Sequence, residues 1–299
     1  MKKNHWFNNA RRIKNDEFYS RSEDIDREVK NYEEHFYNKV VFCNCNDDPA
    51  FSAFWSFFHL NFSRLGLKGL FATSYNKDGP AFWFQYFGGD DGDISRFGKL
   101  RLTEGGDFRS SECVEILKKA DIVATNPPFS LFRPFIVQLM EHEKEIMVMG
   151  QMNSVSFQKI FPFFKEGKIW LDSFEKRNSY FFIPPGHVET ITQKGFYDPG
   201  SGLVRFRSIF WFSNLGRPPK REPLSLTKAF VPEDFPKYDD YDAINVNKIA
   251  DIPKDYFEKM GVPVTIFEHY YFEQFEILDS VKPKLNGKNL FQRIIIKRK

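Results

Sequence analysis

The segment Asn126-Pro127-Pro128-Phe129 carries the clearest chemical signal in the chain. The apolar run 122–124 before it predicts a short buried strand, and the two prolines must end that strand because proline donates nothing to a sheet ladder. Asn126 is therefore expected at the carboxyl end of a strand, which is where open α/β sheets place their ligand crevices.

Two neutral oxygen acceptors are predicted here, the side chain of Asn126 and the carbonyl of Pro127, because the backbone before each proline is restricted to extended geometry. Followed by the Phe129 ring, they suit a planar aromatic amine such as adenine N6. When these oxygens accept hydrogen bonds from both N–H groups of the amine, a tetrahedral nitrogen is favoured and its lone pair points toward a methyl donor. The same hydrogen bonds stabilise charge that develops only in the transition state. The alternative is a plain strand-ending turn, since Asn and Pro are ordinary turn residues.

The composition is that of a globular protein. A chain of 299 residues accommodates one large α/β domain or a domain with a smaller appendage, and 36 Phe contribute to a packed aromatic core. The formal charge of +3 is too small to define a nucleic-acid-binding protein, so any basic face must be local.

The cysteines Cys43, Cys45 and Cys113 are odd in number and include no second close pair, so neither a disulfide framework nor a structural zinc site is expected, and no metal is predicted. A reducing cytoplasm is the expected compartment. No run of about 18 uncharged apolar residues exists, so neither secretion nor a membrane span is predicted.

The alternation of strands and helices from residue 39 to residue 171 predicts an α/β fold with a doubly wound, mostly parallel sheet. Its first unit is a strand at 39–43, a polar loop and a helix. The loop has no Gly-x-Gly-x-x-Gly, which argues against a dinucleotide, whereas S-adenosylmethionine needs carboxylates such as Asp47 or Asp48. Both residues are equally suited to cap the helix that follows.

A second acid, Asp107, precedes the aromatic Phe108 at a turn next to a predicted strand. An acid followed by a ring can hold the adenine amine of a cofactor and stack on it. The equal alternative is that Asp107 caps the short helix that contains Cys113.

Three regions are predicted: a basic N-terminal arm at 1–15, a catalytic domain at 16–215 and a C-terminal extension at 216–299 with a structural or DNA-recognition role. The long irregular stretch 173–202 is a candidate target-recognition loop, because such loops inside compact domains are usually functional or mobile. The positions chosen as DNA contacts are Arg11, Arg12, Lys14, Arg177, Asn178, Arg217, Lys220 and Arg221.

Four segments taken in order resemble the motifs of the EcoRI-type adenine-N6 DNA methyltransferases: Asp-Glu-Phe-Tyr-Ser at 16–20, the stretch 40–49, Gly-Asp-Phe at 106–108 and Asn-Pro-Pro-Phe at 126–129. The segments 238–245 and 260–263 are similar to that family too. The set of motifs is specific, although each motif alone is not. One departure is Ser20, where the family pattern has Thr, and the hydroxyl is kept.

The resemblance implies a class I methyltransferase fold and transfer of a methyl group from S-adenosylmethionine to N6 of an adenine flipped out of duplex DNA. It implies catalytic roles for Asn126, Pro127, Pro128 and Phe129. The cofactor contacts that it implies are Phe18, Tyr19, Ser20, Asn44, Asp47, Asp48, Asp107 and Phe108.

The expected partners are double-stranded DNA and a cognate restriction endonuclease that acts on the same site without stable binding, and the protein is expected to be a monomer. One rival hypothesis keeps the enzyme but changes the acceptor to RNA adenine or protein glutamine. Another is a non-catalytic DNA-binding protein that kept the fold, which the intact motif at 126–129 disfavours.

Overall fold

The computed structural model describes residues 18–172, 179–182, 197–206, 208–217, 222–269 and 273–299. These residues form two compact units, one made of 1–151 and 174–217 and the other of 152–173 and 218–299, as far as each range is described.

The chain from residue 18 to residue 151 alternates between helices and strands. Its helices are α1 (Ser22–Val29), α2 (Ala53–Leu60), α3 (Ser111–Lys119) and α4 (Phe132–Glu141). Its strands are β1 (Val40–Cys43), β2 (Gly69–Thr73), β3 (Ala81–Tyr86), β4 (Gly98–Leu102), β5 (Ile122–Thr125) and β6 (Glu145–Gln151). The helix α1 ends at Val29, and a separate 3-10 turn covers Glu33–Phe36.

The described residues after 151 contribute one short helix, α5 (Phe161–Lys165), and mostly short strands. These strands are β7 (Trp170–Asp172), β8 (Ser179–Phe182), β9 (Tyr197–Asp198), β10 (Leu203–Phe206), β11 (Ile209–Ser213), β12 (Ile244–Asn245), β13 (Met260–Pro263), β14 (Phe275–Val281), β15 (Lys284–Leu285), β16 (Lys288–Asn289) and β17 (Arg293–Arg298). The strands β10 and β11 are close in the chain but join different sheets.

The central sheet of the first unit runs in the order β4-β3-β2-β1-β5-β6-β11. Its four middle strands, β2, β1, β5 and β6, are mutually parallel, whereas β3, β4 and β11 pair antiparallel at the sides. The predicted α/β fold with a large parallel centre is thus confirmed. The chain leaves β1 toward β2 and later returns to β5 on its other side, so the strand order reverses between β1 and β5.

The middle strands are apolar along their whole length. All residues of β1, β2 and β5 are buried, which is the pattern of parallel strands that are covered on both faces. A core cluster rich in aromatic side chains packs with them, and Trp55 of α2 meets Phe84 and Phe97 edge to face in it. Ten of the 36 phenylalanines belong to this cluster.

The second unit contains a four-stranded sheet in the order β12-β13-β17-β14 and the separate hairpin β15-β16. The helix α5 and the 3-10 turns at Met152–Ser156 and Val264–Glu268 belong to the same unit. Its antiparallel pairs include β14-β17 and β15-β16. Residues 152–173, which the sequence pattern assigned to the catalytic domain, pack with this unit.

Candidate active site

The loops that follow β1 and β5 lie side by side, because these two strands are parallel neighbours at the reversal of the strand order. In open α/β sheets this position forms the ligand crevice. Asn44 directly follows β1, and Asn126 directly follows β5. The prediction that Asn126 stands at the carboxyl end of a strand is therefore confirmed.

The side-chain orientation of Asn126 is set by a distant segment. Its Nδ2 donates to the carbonyl oxygen of Phe18 at 2.8 Å. Its Oδ1 is buried and has no hydrogen-bond partner among the residues that the structure describes. A buried acceptor without a partner is costly, so such an atom calls for an explanation, and a donor supplied by a ligand is one.

The segment 18–20 is itself held by strand pairing. Tyr19 forms an isolated antiparallel bridge with Phe182 through reciprocal backbone hydrogen bonds of 3.0 and 2.9 Å. The hydroxyl of Ser20 donates to the sulfur of Met149 at 3.3 Å. These contacts fix the Phe18 carbonyl that orients Asn126.

A small chamber, here the Asn126 chamber, lies between these segments and has a volume of about 40 Å³. Its lining comes from the segment 18–20, the loop 45–47, the start of the α2 region at 51–54, and the residues Asn126 and Pro128. The structure therefore brings the segment 18–20, the first polar loop and the Asn126 motif to one place.

A larger chamber, here the Asp107 chamber, adjoins the first and measures about 290 Å³. The two chambers share the residues Cys45, Asn46 and Pro128. The rest of its lining is Asn44, Tyr75, Gly106, Asp107, Phe108, Arg109, Ser130 and Leu131. Its size is near the lower end of small-molecule sites, which span roughly 300–1,000 Å³.

Asp107 is held as an ion in the larger chamber. Arg109 donates through Nε and Nη2 to its two carboxylate oxygens at 2.9 and 2.6 Å, and the Arg109 backbone N–H donates to Oδ1 at 2.9 Å. The hydrogen bond from Arg109 lowers the pKa of Asp107 below its ordinary value. The capping alternative is wrong for this residue, because Ser110 caps α3 by accepting from the Cys113 N–H.

Asp47 ties the loop after β1 to its surroundings. Its carboxylate accepts from the hydroxyls of Ser52 and Thr125, both at 2.7 Å, and its backbone N–H donates to Thr73. The helix α2 is capped by Ser52, which accepts from the Trp55 N–H, so the direct capping alternative is wrong for Asp47 as well. Asp47 lines the Asn126 chamber, but its oxygens are occupied by these internal hydrogen bonds.

Asp48 differs from its neighbour. Its Oδ1 accepts from the Ala50 N–H at 2.9 Å, and its side chain lines neither chamber. Asn46 lines both chambers instead, with a left-handed backbone (φ 56°) and a side chain that accepts from the Tyr75 N–H. Of the three polar residues at 46–48, Asn46 and Asp47 thus face the crevice.

Asn44 offers a donor to the Asp107 chamber. The side chain is 1% exposed, and its Oδ1 accepts from the Thr73 hydroxyl at 3.3 Å. Its Nδ2 is buried and has no hydrogen-bond partner in the structure. Asn44 and Asn126 therefore place one buried donor and one buried acceptor beside adjoining chambers.

Phe129 is placed differently from the expectation. Its ring is 3% exposed, stacks on Phe18 with centroids 5.9 Å apart, and meets Phe206 edge to face. Neither Phe129 nor Pro127 lines the two chambers, whereas Pro128 lines both. Phe108 does line the Asp107 chamber, and its ring packs edge to face on Phe135.

A third and more open cavity of about 630 Å³ shares Tyr19, Ser20 and the segment 51–53 with the Asn126 chamber. The rings of Tyr19 and Phe51 stack with centroids 5.3 Å apart, and both line the two spaces. Both rings therefore belong to the wall that the Asn126 chamber and the open cavity have in common.

Most of the predicted DNA contacts fall outside the described residues, namely Arg11, Arg12, Lys14, Arg177, Asn178, Lys220 and Arg221, as does the basic arm at 1–15. Arg217 is described and is exposed. Only 179–182 and 197–202 of the proposed recognition loop are described.

Sequence reasoning missed several lining or supporting residues, among them Cys45, Tyr75, Arg109 and Thr125. The adjacency of Arg109 to Asp-Phe was a signal that could have indicated its ion pair.

All three cysteines are free thiols. Within the described part of the chain, no group of three or more His, Cys, Asp or Glu side chains is arranged to hold a metal ion. The same residues include no helix that is both long and apolar enough to span a bilayer.

The fold and the site together define an α/β protein with a ligand crevice at the carboxyl ends of its parallel strands. Residues 6–299 match the family described as adenine-specific methyltransferase EcoRI. The chain is 40% identical to the type II methyltransferase M.EcoRI of Escherichia coli, with 97% of this chain and 95% of the relative covered. It is 38% identical to M.MgeORF184P of Mycoplasma genitalium (98% and 99% covered) and 37% identical to M.MpnI of Mycoplasma pneumoniae (93% and 86% covered).

The chain therefore belongs to the EcoRI family of adenine-specific methyltransferases and is an adenine-specific DNA methyltransferase. The resemblance seen in the sequence motifs is confirmed. No solved structure matches this chain.

Proposed function

We propose that the protein transfers a methyl group from S-adenosylmethionine to N6 of an adenine that is flipped out of duplex DNA, with Asn126 holding the amine. The observation that carries this proposal is the buried Oδ1 of Asn126, which lacks a partner and belongs to a residue that lines the crevice. The finer fold assignment, a doubly wound class I methyltransferase domain, is part of the same proposal and is supported by the reversal of strand order at β1 and β5.

The residues of the Asp107 chamber fit the cofactor. The unpartnered Nδ2 of Asn44 can donate to a ribose or carboxylate oxygen, and the Asp107 carboxylate can accept from the adenine amine of the cofactor. Phe108 supplies an apolar surface in the same chamber. When bound, S-adenosylmethionine supplies an electrophilic methyl group on a sulfonium ion.

Asn126 would act on the target amine by accepting a hydrogen bond from one of its two N–H groups. An amide oxygen that is already fixed in place does not have to reorient when positive charge develops on the amine nitrogen. Its hydrogen bond therefore lowers the activation barrier of methyl transfer and does not only strengthen binding of the base. The hydrogen bond from Nδ2 to the Phe18 carbonyl provides that fixation. That the Pro127 carbonyl accepts a hydrogen bond from the second N–H group also stays a prediction, and it requires this buried residue, which lines neither chamber, to become accessible when the base binds.

The target base must leave the duplex, because its amine is paired inside the helix, and this costs a few kcal/mol. The Asn126 chamber, at about 40 Å³, is too small for a purine. We propose that Tyr19 and Phe51 separate when the base binds, which joins this chamber to the open cavity. Stacking of the base on Phe129 also stays a prediction, and it requires that ring to leave the core.

The other predicted site residues remain part of this proposal. Phe18, Tyr19, Ser20 and Asp47 line the Asn126 chamber and are proposed to border the methionine end of the cofactor. Asp48 faces neither chamber, so its proposed role is limited to the turn before α2. A cognate endonuclease that acts on the same site, and a monomeric methyltransferase, are likewise proposed.

The test is transfer of tritium from labelled S-adenosylmethionine to duplex DNA, with RNA and protein as parallel acceptors. We expect label on N6-methyladenine in DNA, and we expect Asn126→Ala to lower kcat about 100-fold or more while duplex binding is kept. Full turnover by Asn126→Ala would refute the assignment of Asn126. Label found only in RNA or protein would refute the choice of acceptor.

A further inference from the structure

The second unit carries a short hairpin, here the Lys284 hairpin, formed by β15 (Lys284–Leu285) and β16 (Lys288–Asn289). Its two turn residues, Asn286 and Gly287, both have positive φ, 49° and 73°. Asn-Gly with this geometry is the preferred two-residue turn, because its twist matches the twist of the flanking strands. The hairpin therefore has a well-defined backbone conformation.

The carboxylates of Asp239 and Asp240 hold the hairpin through hydrogen bonds from its backbone amides. The oxygens of Asp239 accept from the turn amides of Asn286 and Gly287 at 3.1 and 2.7 Å. Asp240 accepts from the Lys284 N–H at 2.8 Å. Part of the negative charge next to the hairpin is thus engaged with its backbone amides, and the turn is held in one conformation.

The hairpin has an apolar inner side and a basic outer side. Leu285 and Leu290 pack against the buried cluster of Tyr238, Ala243 and Ile295. The residues Lys282, Lys284, Lys288 and Asn289 are exposed. Among the residues that the structure describes, none of these three lysines has an ion-pair partner. The outer side therefore presents three exposed lysine side chains that form no ion pair with the described residues.

Phe291, two residues beyond the hairpin, is 86% exposed, which is the largest exposed fraction among the large apolar side chains of the described chain. No aromatic ring contact involves it within the same residues. Packing of the unit therefore does not account for a phenylalanine here. Single exposed apolar residues are common on surfaces, but this one follows directly after a rigid basic hairpin.

We propose that the Lys284 hairpin and Phe291 form a contact with duplex DNA. In this contact Lys284 and Lys288 bind phosphates, and the Phe291 ring inserts at a base step. Apolar side chains that wedge between base steps unstack them locally, and phosphate contacts from lysines supply the affinity. The inference rests on the proposed function, because an enzyme that flips its target base must offset the lost stacking.

The lysines are tested by the salt dependence of duplex binding. Each phosphate contact contributes about 0.9 to the slope of log K against log salt concentration, so K284Q/K288Q should reduce the slope by about 1.8. The matched control is K30Q/K118Q, which removes the same charge from two lysines that are ion-paired on helices of the first unit. The control should leave the slope at the wild-type value.

Phe291 is tested with a duplex that contains the methylation site, which is mapped by sequencing DNA that the wild-type enzyme has methylated. F291A should bind this duplex about tenfold more weakly, since stacking of a base on an aromatic side chain is worth about that factor or more. F291W should keep the affinity. F87A is the control, because Phe87 is 64% exposed and lies in the other unit.

Binding of F291A and of K284Q/K288Q with wild-type affinity and salt slope, by an enzyme that still methylates DNA, would overturn this inference alone. Absence of methyl transfer to DNA by the wild-type protein would overturn the proposed function and, with it, this inference. Thermal unfolding of each variant shows that the fold is kept, because neither Phe291 nor the two lysines contribute side chains to the buried cluster.

Discussion

The side-chain amide of Asn126 donates to the carbonyl oxygen of Phe18, which lies 108 residues earlier in the chain. This hydrogen bond determines whether Nδ2 or Oδ1 of the Asn126 side chain remains available to a ligand. Because Nδ2 is used inside the protein, Oδ1 is the atom that remains without a partner. The motif at 126–129 therefore depends on a segment that its own sequence does not contain.

Replacing Asn126 by Asp tests this orientation. The ionised carboxylate would set one oxygen against the Phe18 carbonyl, and two acceptors repel, whereas the protonated carboxyl could donate to Phe18 and keep one acceptor. We expect N126D to have residual activity that rises as pH falls toward the ordinary carboxyl range. The measurement is kcat against pH. N126A is the control and should show no such rise, and a pH profile shared by both variants would contradict the orientation.

Replacing Thr125 by Val removes the buried hydroxyl that donates to Asp47. A hydrogen bond to a charged group is worth about 1.5–3 kcal/mol, so the free energy of unfolding should fall by about that amount. T125S keeps the hydroxyl and loses one methyl group, at a cost of about 1 kcal/mol. Urea unfolding measures both variants. Equal destabilisation of T125V and T125S would mean that the hydroxyl contributes nothing.

Arg109 is expected to determine the pH below which the protein loses its affinity for S-adenosylmethionine. Its hydrogen bonds lower the pKa of Asp107, so the carboxylate persists as pH falls below the ordinary pKa and is lost only at the lowered one. R109Q removes this effect, and the pKa of Asp107 should rise toward its ordinary value. Affinity for S-adenosylmethionine should then be lost at a higher pH than in the wild type, as measured by calorimetric titration across the acid range.

The control for Arg109 is K118Q. Lys118 pairs with Glu115 on the exposed side of α3 and likewise lowers the pKa of that carboxyl, but Glu115 lines neither chamber. This variant should leave the pH profile of cofactor binding unchanged. A wild-type profile for R109Q would show that Asp107 does not contact the cofactor.

Gly106 is required in the Asp107 chamber for two reasons. Its φ is +72°, and a Cβ at this position would overlap the carbonyl oxygen of Ser74. The matched control is Gly202, which has φ +70° and open space around it. G202A should cost about 1–2 kcal/mol through backbone strain alone. G106A should cost clearly more in urea unfolding and should weaken cofactor binding, and equal losses for both would exclude the steric effect.

The three thiols should differ in reactivity. Burial raises the pKa of Cys43 well above its ordinary value and raises the pKa of Cys113 to about 11, so both are protonated near neutral pH. Cys45 is partly exposed and lines both chambers. We expect a maleimide to label Cys45 first, with protection by S-adenosylmethionine, as read by peptide mass spectrometry. Faster labelling of Cys113 would contradict this order.

Local signals predicted the strand ends well. The apolar run before Asn126 and the two prolines after it determine where β5 stops, and no distant residue is needed for that conclusion. The near alternation of aromatic residues at 82–87 likewise predicts a hairpin over 76–98, and β3 pairs antiparallel with β4, which begins at the end of that range.

Features that depend on distant packing could not be predicted in this way. The pattern around Asp47 fits a helix cap, but the cap is Ser52, and the partner of Asp47 across the crevice is Thr125 on another strand. Phe129 was expected in the crevice, yet its ring joins Phe18 and Phe206 in the core. Each outcome is decided by residues that lie far away in the sequence.

The bridge between Tyr19 and Phe182 has a consequence for biosynthesis. During translation the Asn126 motif is synthesised well before residue 182. Until residue 182 has emerged from the ribosome, the segment 18–20, which orients the Asn126 amide, cannot pair with β8. Contacts between such distant residues form late because loop closure must precede them. We therefore expect incomplete chains to lack the ordered crevice, and the enzyme to become competent only once translation has passed β8.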